Sequence, residues 1–131
     1  MAHGASLGSL GEFDSTRSGD YLEQLTTLSF LGAHTTKAKL LTSVMVLPYR
    51  SPVHTAKILA TMDVMTNGRL IVGCGAGWMR EEFEALDAPP FDERGAVTDE
   101  YIRAFKELWT SDEPTFYGRY CSFTDIAFEP K

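Results

Sequence analysis

The stretch Gly68-Arg69-Leu70-Ile71-Val72-Gly73-Cys74-Gly75-Ala76-Gly77-Trp78 decides how the chain is read. A turn glycine leads into an apolar run long enough for a buried strand, and glycines then occupy every second position up to a tryptophan. Because side chains alternate across a strand, glycines spaced by two leave one face bare as the strand ends. A flat ligand could lie there against backbone. Spacing alone leaves a plainer alternative open, in which the glycines relieve crowding inside a barrel.

The flanking segments supply a grammar for that strand. Leu40 to Leu47 is a mostly apolar, β-branched run stopped by Pro48. It lacks strict in-out alternation, so the expectation is a strand covered on both faces, as in parallel sheets. Ser51-Pro52 then reads as an N-cap with proline at the first helical position, and Val53 to Met65 as a helix apolar nearly all round, stopped by Asn67-Gly68. Upstream, Asp20 as N-cap with Glu23 three residues later predicts a helix from Tyr21 to His34, with Leu22, Leu25, Leu28 and Leu31 as its stripe. Downstream, a short helix around Phe83 and Leu86 ends at Pro89-Pro90. The clearest amphipathic pattern follows: Val97, Tyr101, Ile102, Phe105, Leu108 and Trp109 on one face, with Asp99, Glu100, Arg103 and Glu107 on the solvent side. Aromatics from Phe116 to Phe128, interrupted by Gly118 and Thr124-Asp125, predict a C-terminal hairpin. Residues 1–19, rich in glycine and serine, read as a flexible segment, and residues 20–131 as one domain.

Helix, strand, helix, strand, helix is the order of a parallel α/β sheet with right-handed crossovers. A closed eight-stranded barrel takes about 250 residues, so 131 residues hold part of one. The fold class expected is therefore α/β, a partial TIM barrel of about strands 3 and 4 with flanking helices.

Bulk properties narrow the function classes. A net charge of -6 and a pI near 5.0 give no electrostatic footprint for nucleic acid or an anionic membrane. No run approaches the ~20 apolar residues of a membrane span, and no signal-peptide pattern opens the chain, so a cytoplasmic location is expected. Cys74 and Cys121 fit no zinc spacing and are expected as reduced, buried or half-buried thiols. His3, His34 and His54 lie in separate segments without an i, i+4 pair, and no metal site is expected.

Gly73-x-Gly75-x-Gly77 does not meet the dinucleotide fingerprint, which needs its third glycine where Trp78 stands. Asp63, close before Arg69, suggests an ion pair locking helix to strand. Glu81, Glu82 and Glu84 read as a solvated helix face. A serine within a strand, as at Ser43, usually satisfies its hydroxyl on nearby backbone.

Several motifs in order carry a family resemblance: Thr42 through Pro52, Ala56-Lys57, Ala60 through Asp63, Gly68 through Trp78, Glu82-Phe83, Arg94, Glu100, Leu108-Trp109, and Phe116-x-Gly118-x-Tyr120 ending at Glu129-Pro130. The sequence from about Asp20 to Lys131 resembles the bacterial luciferase-like monooxygenase family. The resemblance implies a TIM-barrel oxidoreductase using reduced flavin mononucleotide (FMN) or the deazaflavin F420, the motifs being closer to the F420-using branch. It implies a bulge, often with a non-prolyl cis peptide, at Ser43-Val44 behind the cofactor ring, and passage of Gly75, Ala76, Gly77 and Trp78 beneath that ring. These six residues are the expected cofactor-binding set, with a small molecule as substrate. The earlier strand whose end supplies acidic and histidine residues, and the later phosphate-binding strands, have no counterpart here, so the chain reads as a barrel's central piece. No acid or base is assigned. The alternative is a non-catalytic barrel fragment that persists by self-association through its exposed sheet edges.

Overall fold

The computed structural model describes residues 21–131. The expected flexible segment 1–19, the Asp20 cap and His3 lie outside the described residues. The element order is α1 (Gln24–His34), β1 (Leu40–Val46), α2 (Pro52–Thr66), β2 (Leu70–Gly75), α3 (Arg80–Ala85), α4 (Arg94–Thr110), β3 (Phe116–Tyr117) and β4 (Ser122–Phe123). Short 3-10 turns at Leu47–Tyr49 and Phe91–Glu93 follow β1 and precede α4. β1 and β2 pair in parallel, Leu40 opposite Leu70 and Leu41 opposite Ile71, with α2 as the crossover between them. The second sheet is the antiparallel pair β3–β4, the expected hairpin. This is the α/β architecture of a partial (β/α)8 barrel.

The core lies on one side of the β1–β2 sheet. Met45 and Leu47 meet Ala56, Leu59 and Ala60 of α2 and Val97, Tyr101, Ala104, Phe105 and Leu108 of α4. Each large apolar side chain so buried contributes about 1.5–3 kcal/mol. The opposite face is bare: Leu41, Val44 and Ile71 are 53%, 54% and 47% exposed. The expectation of strands covered on both faces therefore holds only toward the helices, because no element among the described residues packs on the inner side.

α1 starts later than expected, at Gln24, with Glu23 as its cap: the Thr26 N–H donates to Glu23 Oε2 at 2.7 Å and the Arg50 guanidinium to Oε1 at 2.8 Å. Burial works against ionisation of Glu23, but the Thr26 and Leu25 N–H groups and Arg50 overcome it and hold the carboxyl below its usual value. With the helix begun at Gln24, the leucine stripe splits. Leu25 is buried, whereas Leu22 and Leu31 are 74% and 44% exposed.

The expected Asp63–Arg69 ion pair does not form. Asp63 instead accepts the Leu70 N–H at 3.2 Å. The buried Arg69 guanidinium donates to the carbonyls of Gly32 (2.8 Å), Thr35 (2.9 Å), Ala38 (2.9 Å) and Thr66 (2.7 Å) and to Thr35 Oγ1 (3.0 Å). Carbonyls at helix C-termini lack intrahelical donors and carry the negative end of the helix dipole, which suits a cation. One side chain thus closes the ends of α1 and α2 at the start of β2.

Glu100 also departs from the expected solvent face. It is 5% exposed, and its carboxylate accepts the N–H groups of Arg119 (2.9 Å), Tyr120 (2.6 Å) and Cys121 (2.9 Å) in the β3–β4 loop. Burial alone would raise its pKa, but the three N–H donors win and lower it. Glu93 fastens the same loop through Arg119 at 2.6 Å and the Tyr120 hydroxyl at 3.0 Å. Cys121 is half-buried, its thiol pushed up to about 11 by burial and by Glu100, whereas Cys74 is exposed.

Two outcomes test this scaffold. Arg69→Lys keeps the charge but loses the guanidinium fork, and should lower unfolding free energy by about 2–4 kcal/mol in urea denaturation; an unchanged midpoint would contradict the capping role. Glu100→Gln should cost about 2–3 kcal/mol at neutral pH, since hydrogen bonds to a charged acceptor are lost. Because the folded-state pKa of Glu100 is depressed from 4.5, its contribution is present above that value and fades as the pH falls through the lower folded one. The stability gap between the two proteins should narrow on acidification below pH 4.5, and a constant gap would refute the linkage.

Candidate ring-binding wall

Of the site expected from the sequence, Ser43 and Val44 lie in the middle of β1, whereas Gly75 to Trp78 lie at and just beyond the C-terminal end of β2, the end of a parallel barrel where active sites form. The β1–β2 register runs regularly to Thr42 opposite Val72 and resumes at Met45 opposite Cys74, so Ser43 and Val44 form a bulge. The Ser43–Val44 peptide is cis. Thr42 and Met45 are buried on the helix side, while Ser43 and Val44 both stand exposed on or beside the open face. The polar group needing satisfaction within the strand is that of Thr42, whose hydroxyl donates to the Gly73 carbonyl at 3.1 Å.

Glycine spacing acquires a different cause here. A Cβ at Gly73 would run into the Thr42 carbonyl, and one at Gly75 would lie 2.7 Å from Val44 Cγ2. The bulge swings Val44 across β2, where Gly75 makes room for it and Gly73 makes room for the Thr42 carbonyl. What the sequence suggested as ligand resting on glycine backbone is, in the folded chain, valine resting on glycine backbone. Val44 keeps 54% of its surface open, beside Leu41 and Ile71. The result is an apolar bed of three aliphatic side chains without a charge among them.

The other expected residues are dispersed along the end of β2. Gly75 closes the strand, Ala76 and Gly77 are half-buried in the following turn, and Trp78 is 65% exposed. Ser43 and Val44 also line a groove with Leu22, Thr27, Leu28 and Leu41, on the α1 side of β1. Leu41 and Ile71 were not singled out in the sequence, although their in-register pairing follows from aligning the two strands by their apolar runs.

Around this wall the loops carry polar ties. The Tyr49 hydroxyl, just after β1, donates to Glu82 on α3, just after β2. Burial, followed by that hydrogen bond and the charge of Glu82, pushes the Tyr49 pKa upward, so its proton stays in place. Glu82 is thereby engaged rather than merely solvated. Tyr49 stacks edge-on against Phe83, and Phe83 against Phe91. Among the described residues no cluster of histidine, cysteine or carboxylate side chains could hold a metal ion. An uncharged aliphatic bed suits an apolar ligand surface rather than a phosphate or a metal.

Comparison with known proteins identifies the family. The sequence model described as luciferase-like monooxygenase matches residues 8–131. An FMNH(2)-dependent dimethylsulfone monooxygenase of Pseudomonas putida is 39% identical over 111 residues, 83% of this chain and 30% of that protein. An F420-dependent glucose-6-phosphate dehydrogenase of Amycolatopsis mediterranei is 37% identical over 94 residues, 70% of this chain and 28% of that protein. The crystal structure of monooxygenase RslO1 from Streptomyces bottropensis superimposes with a TM-score of 0.77 at 28% identity, covering 83% of this chain and 33% of that one. The chain thus spans about a third of the length of the proteins it matches. The family model spans residues 8–131, and the chain belongs to the luciferase-like monooxygenase family.

Proposed function

We propose that this chain forms one wall of a ring-binding site in an oxidoreductase that uses reduced FMN or F420 on a small-molecule substrate in the cytoplasm. The observation that carries this reading is the Thr42–Met45 bulge, which lays Val44 over Gly73 and Gly75 and leaves an aliphatic bed open. Ser43, Val44, Gly75, Ala76, Gly77 and Trp78 form the wall in this reading, with Leu41 and Ile71 extending it. A bound reduced flavin or deazaflavin supplies hydride or electron chemistry. The chain's own residues orient the ring, offer it apolar contact and exclude water from one side.

Both cofactor classes are represented among the relatives, whose printed names specify FMNH(2) in one case and F420 in another. Sequence motifs such as Pro48-Tyr49-Arg50-Ser51-Pro52 and Gly77-Trp78 favour F420 in this reading. A second reading, a non-catalytic piece that persists by self-association, draws on the same bare face. Three half-exposed aliphatic residues on an open sheet form a surface that a second copy could cover.

Anaerobic titration of the chain with reduced FMN and with reduced F420, followed by tryptophan emission, separates these readings. Saturable binding by one cofactor at micromolar levels is expected, and Val44→Asp should weaken it at least about tenfold while leaving the urea midpoint nearly unchanged. No binding of either cofactor at roughly 100 µM removes the ring-wall reading for this polypeptide. Binding that survives Val44→Asp places the ligand elsewhere. A monomer in sedimentation at about 50 µM would remove the self-association reading.

A further inference from the structure

The turn that joins β2 to α3 is held by a side chain to which the sequence assigns no role. After Gly75 the strand ladder ends, and α3 begins only at Arg80. Within the interval, Gly77 has φ 86°, and a Cβ there would lie 2.8 Å from the Phe83 ring and 3.0 Å from Val46 Cγ1. Packing therefore admits only glycine at this point, the residue with the widest backbone freedom. A turn of that composition needs a restraint from outside itself.

We propose that Arg94 is a positioning residue for the ring-facing turn, acting through the Gly77 carbonyl; this rests on the reading of Gly75 to Trp78 as cofactor wall. Arg94 Nε donates to the Gly77 carbonyl at 3.0 Å, and Nη1 donates to the Phe91 carbonyl at 3.0 Å. The guanidinium carbon lies 4.2 Å from the centroid of the Phe91 ring. Arg80 covers the same ring at 4.5 Å and is held by Asp92 at 2.7 Å. Two directed donors and a cation–π contact with Phe91 fix the position of the Arg94 fork, which a lysine ammonium cannot reproduce.

The anchor is rigid because Arg94 opens α4, whose next turn buries Val97 and whose following turn buries Tyr101 in the core. The Gly77–Trp78 peptide is trans, so with its carbonyl turned to Arg94 the Trp78 N–H is directed away from Arg94. Arg94 thereby sets both the path of the turn and the direction in which Trp78 leaves it. Core packing of α4 is in this way transmitted to residues at the end of β2.

The test reads Trp78 directly, in a Trp109→Phe background where it is the only tryptophan. Fluorescence anisotropy of the ligand-free chain and affinity for reduced FMN and reduced F420 are measured for the Arg94 chain, Arg94→Lys and Arg94→Ala. Both variants should lower Trp78 anisotropy and weaken cofactor binding at least about tenfold, and methylguanidinium at roughly 10 mM should restore both quantities in Arg94→Ala. A contribution to stability alone would lower the urea midpoint and leave the anisotropy and affinity of the folded chain unchanged, which would overturn the proposal. Should Arg94→Ala fail to fold, Arg94→Lys decides: anisotropy equal to that of the Arg94 chain overturns it. If the Arg94 chain binds neither cofactor, the ring-wall reading falls, and the ligand-free anisotropy still decides whether Arg94 orders the turn.

Discussion

The Arg69 guanidinium is the interaction on which the arrangement of this chain depends. Its five hydrogen bonds reach the end of α1, the connection to β1 and the end of α2 from the residue just before β2. Unmet carbonyls buried at two helix ends would each cost about 1–3 kcal/mol, so a single fork prevents several penalties at once. It also fixes where β2 begins. Arg69 donates its side chain to the Ala38 carbonyl and its own carbonyl accepts the Leu40 N–H at 2.9 Å, which sets Leu40 opposite Leu70. A slip of one residue in that register would turn every side chain to the wrong face.

From that register the site follows by counting. With Leu40 and Thr42 facing the helices, Leu41 must face the open side, and strict alternation would return Ser43 there and send Val44 to the core. The extra residue of the bulge restores Met45 to the core, where it is fully buried, and leaves Val44 outside. Gly75 then lacks a side chain because Val44 lies over it, and Gly73 because the Thr42 carbonyl at the edge of the bulge stands where its Cβ would be. Bulge and glycines are therefore linked, since a side chain at either glycine would collide with the bulged strand.

Much of this was legible in the sequence, and the limits have physical causes. The β-α-β order, the stop at Asn67-Gly68 and the C-terminal hairpin follow from periodicity and turn chemistry, and Asn67 does adopt the left-handed conformation, with φ 57°. The motif run around Ser43-Val44 and Gly75-Trp78 indicated where to look. Periodicity could not show that Glu100 is buried, because its place on α4 is polar by helical phase and only the N–H groups of a distant loop make burial favourable. Nor could it show the partners of Arg69. Proximity to Asp63 suggested an ion pair, but the carbonyls that claim the guanidinium belong to α1, over thirty residues upstream, and to the adjoining turn. The glycine spacing points to a ligand on bare backbone, whereas the chain's own Val44 and the Thr42 carbonyl occupy that space, a filling that alternation alone does not reveal.

The two faces of the sheet divide the work of this short β-α-β piece. Stability comes from the side where Met45, Leu59, Val97 and Leu108 are essentially removed from solvent. Leu41, Val44 and Ile71 contribute little there, since about half of each remains exposed and a partly exposed aliphatic residue realises only part of its transfer free energy. Residues on the open face are consequently free to be chosen for what lies against them rather than for the fold. The two faces remain coupled at one end, because the turn after β2 rests on Phe83 and is tied to α4 through Arg94. Rigidity in the packed layer thus reaches the open layer through the backbone of β2 and its turn, so the open aliphatic face is held by the layer that it does not itself stabilise.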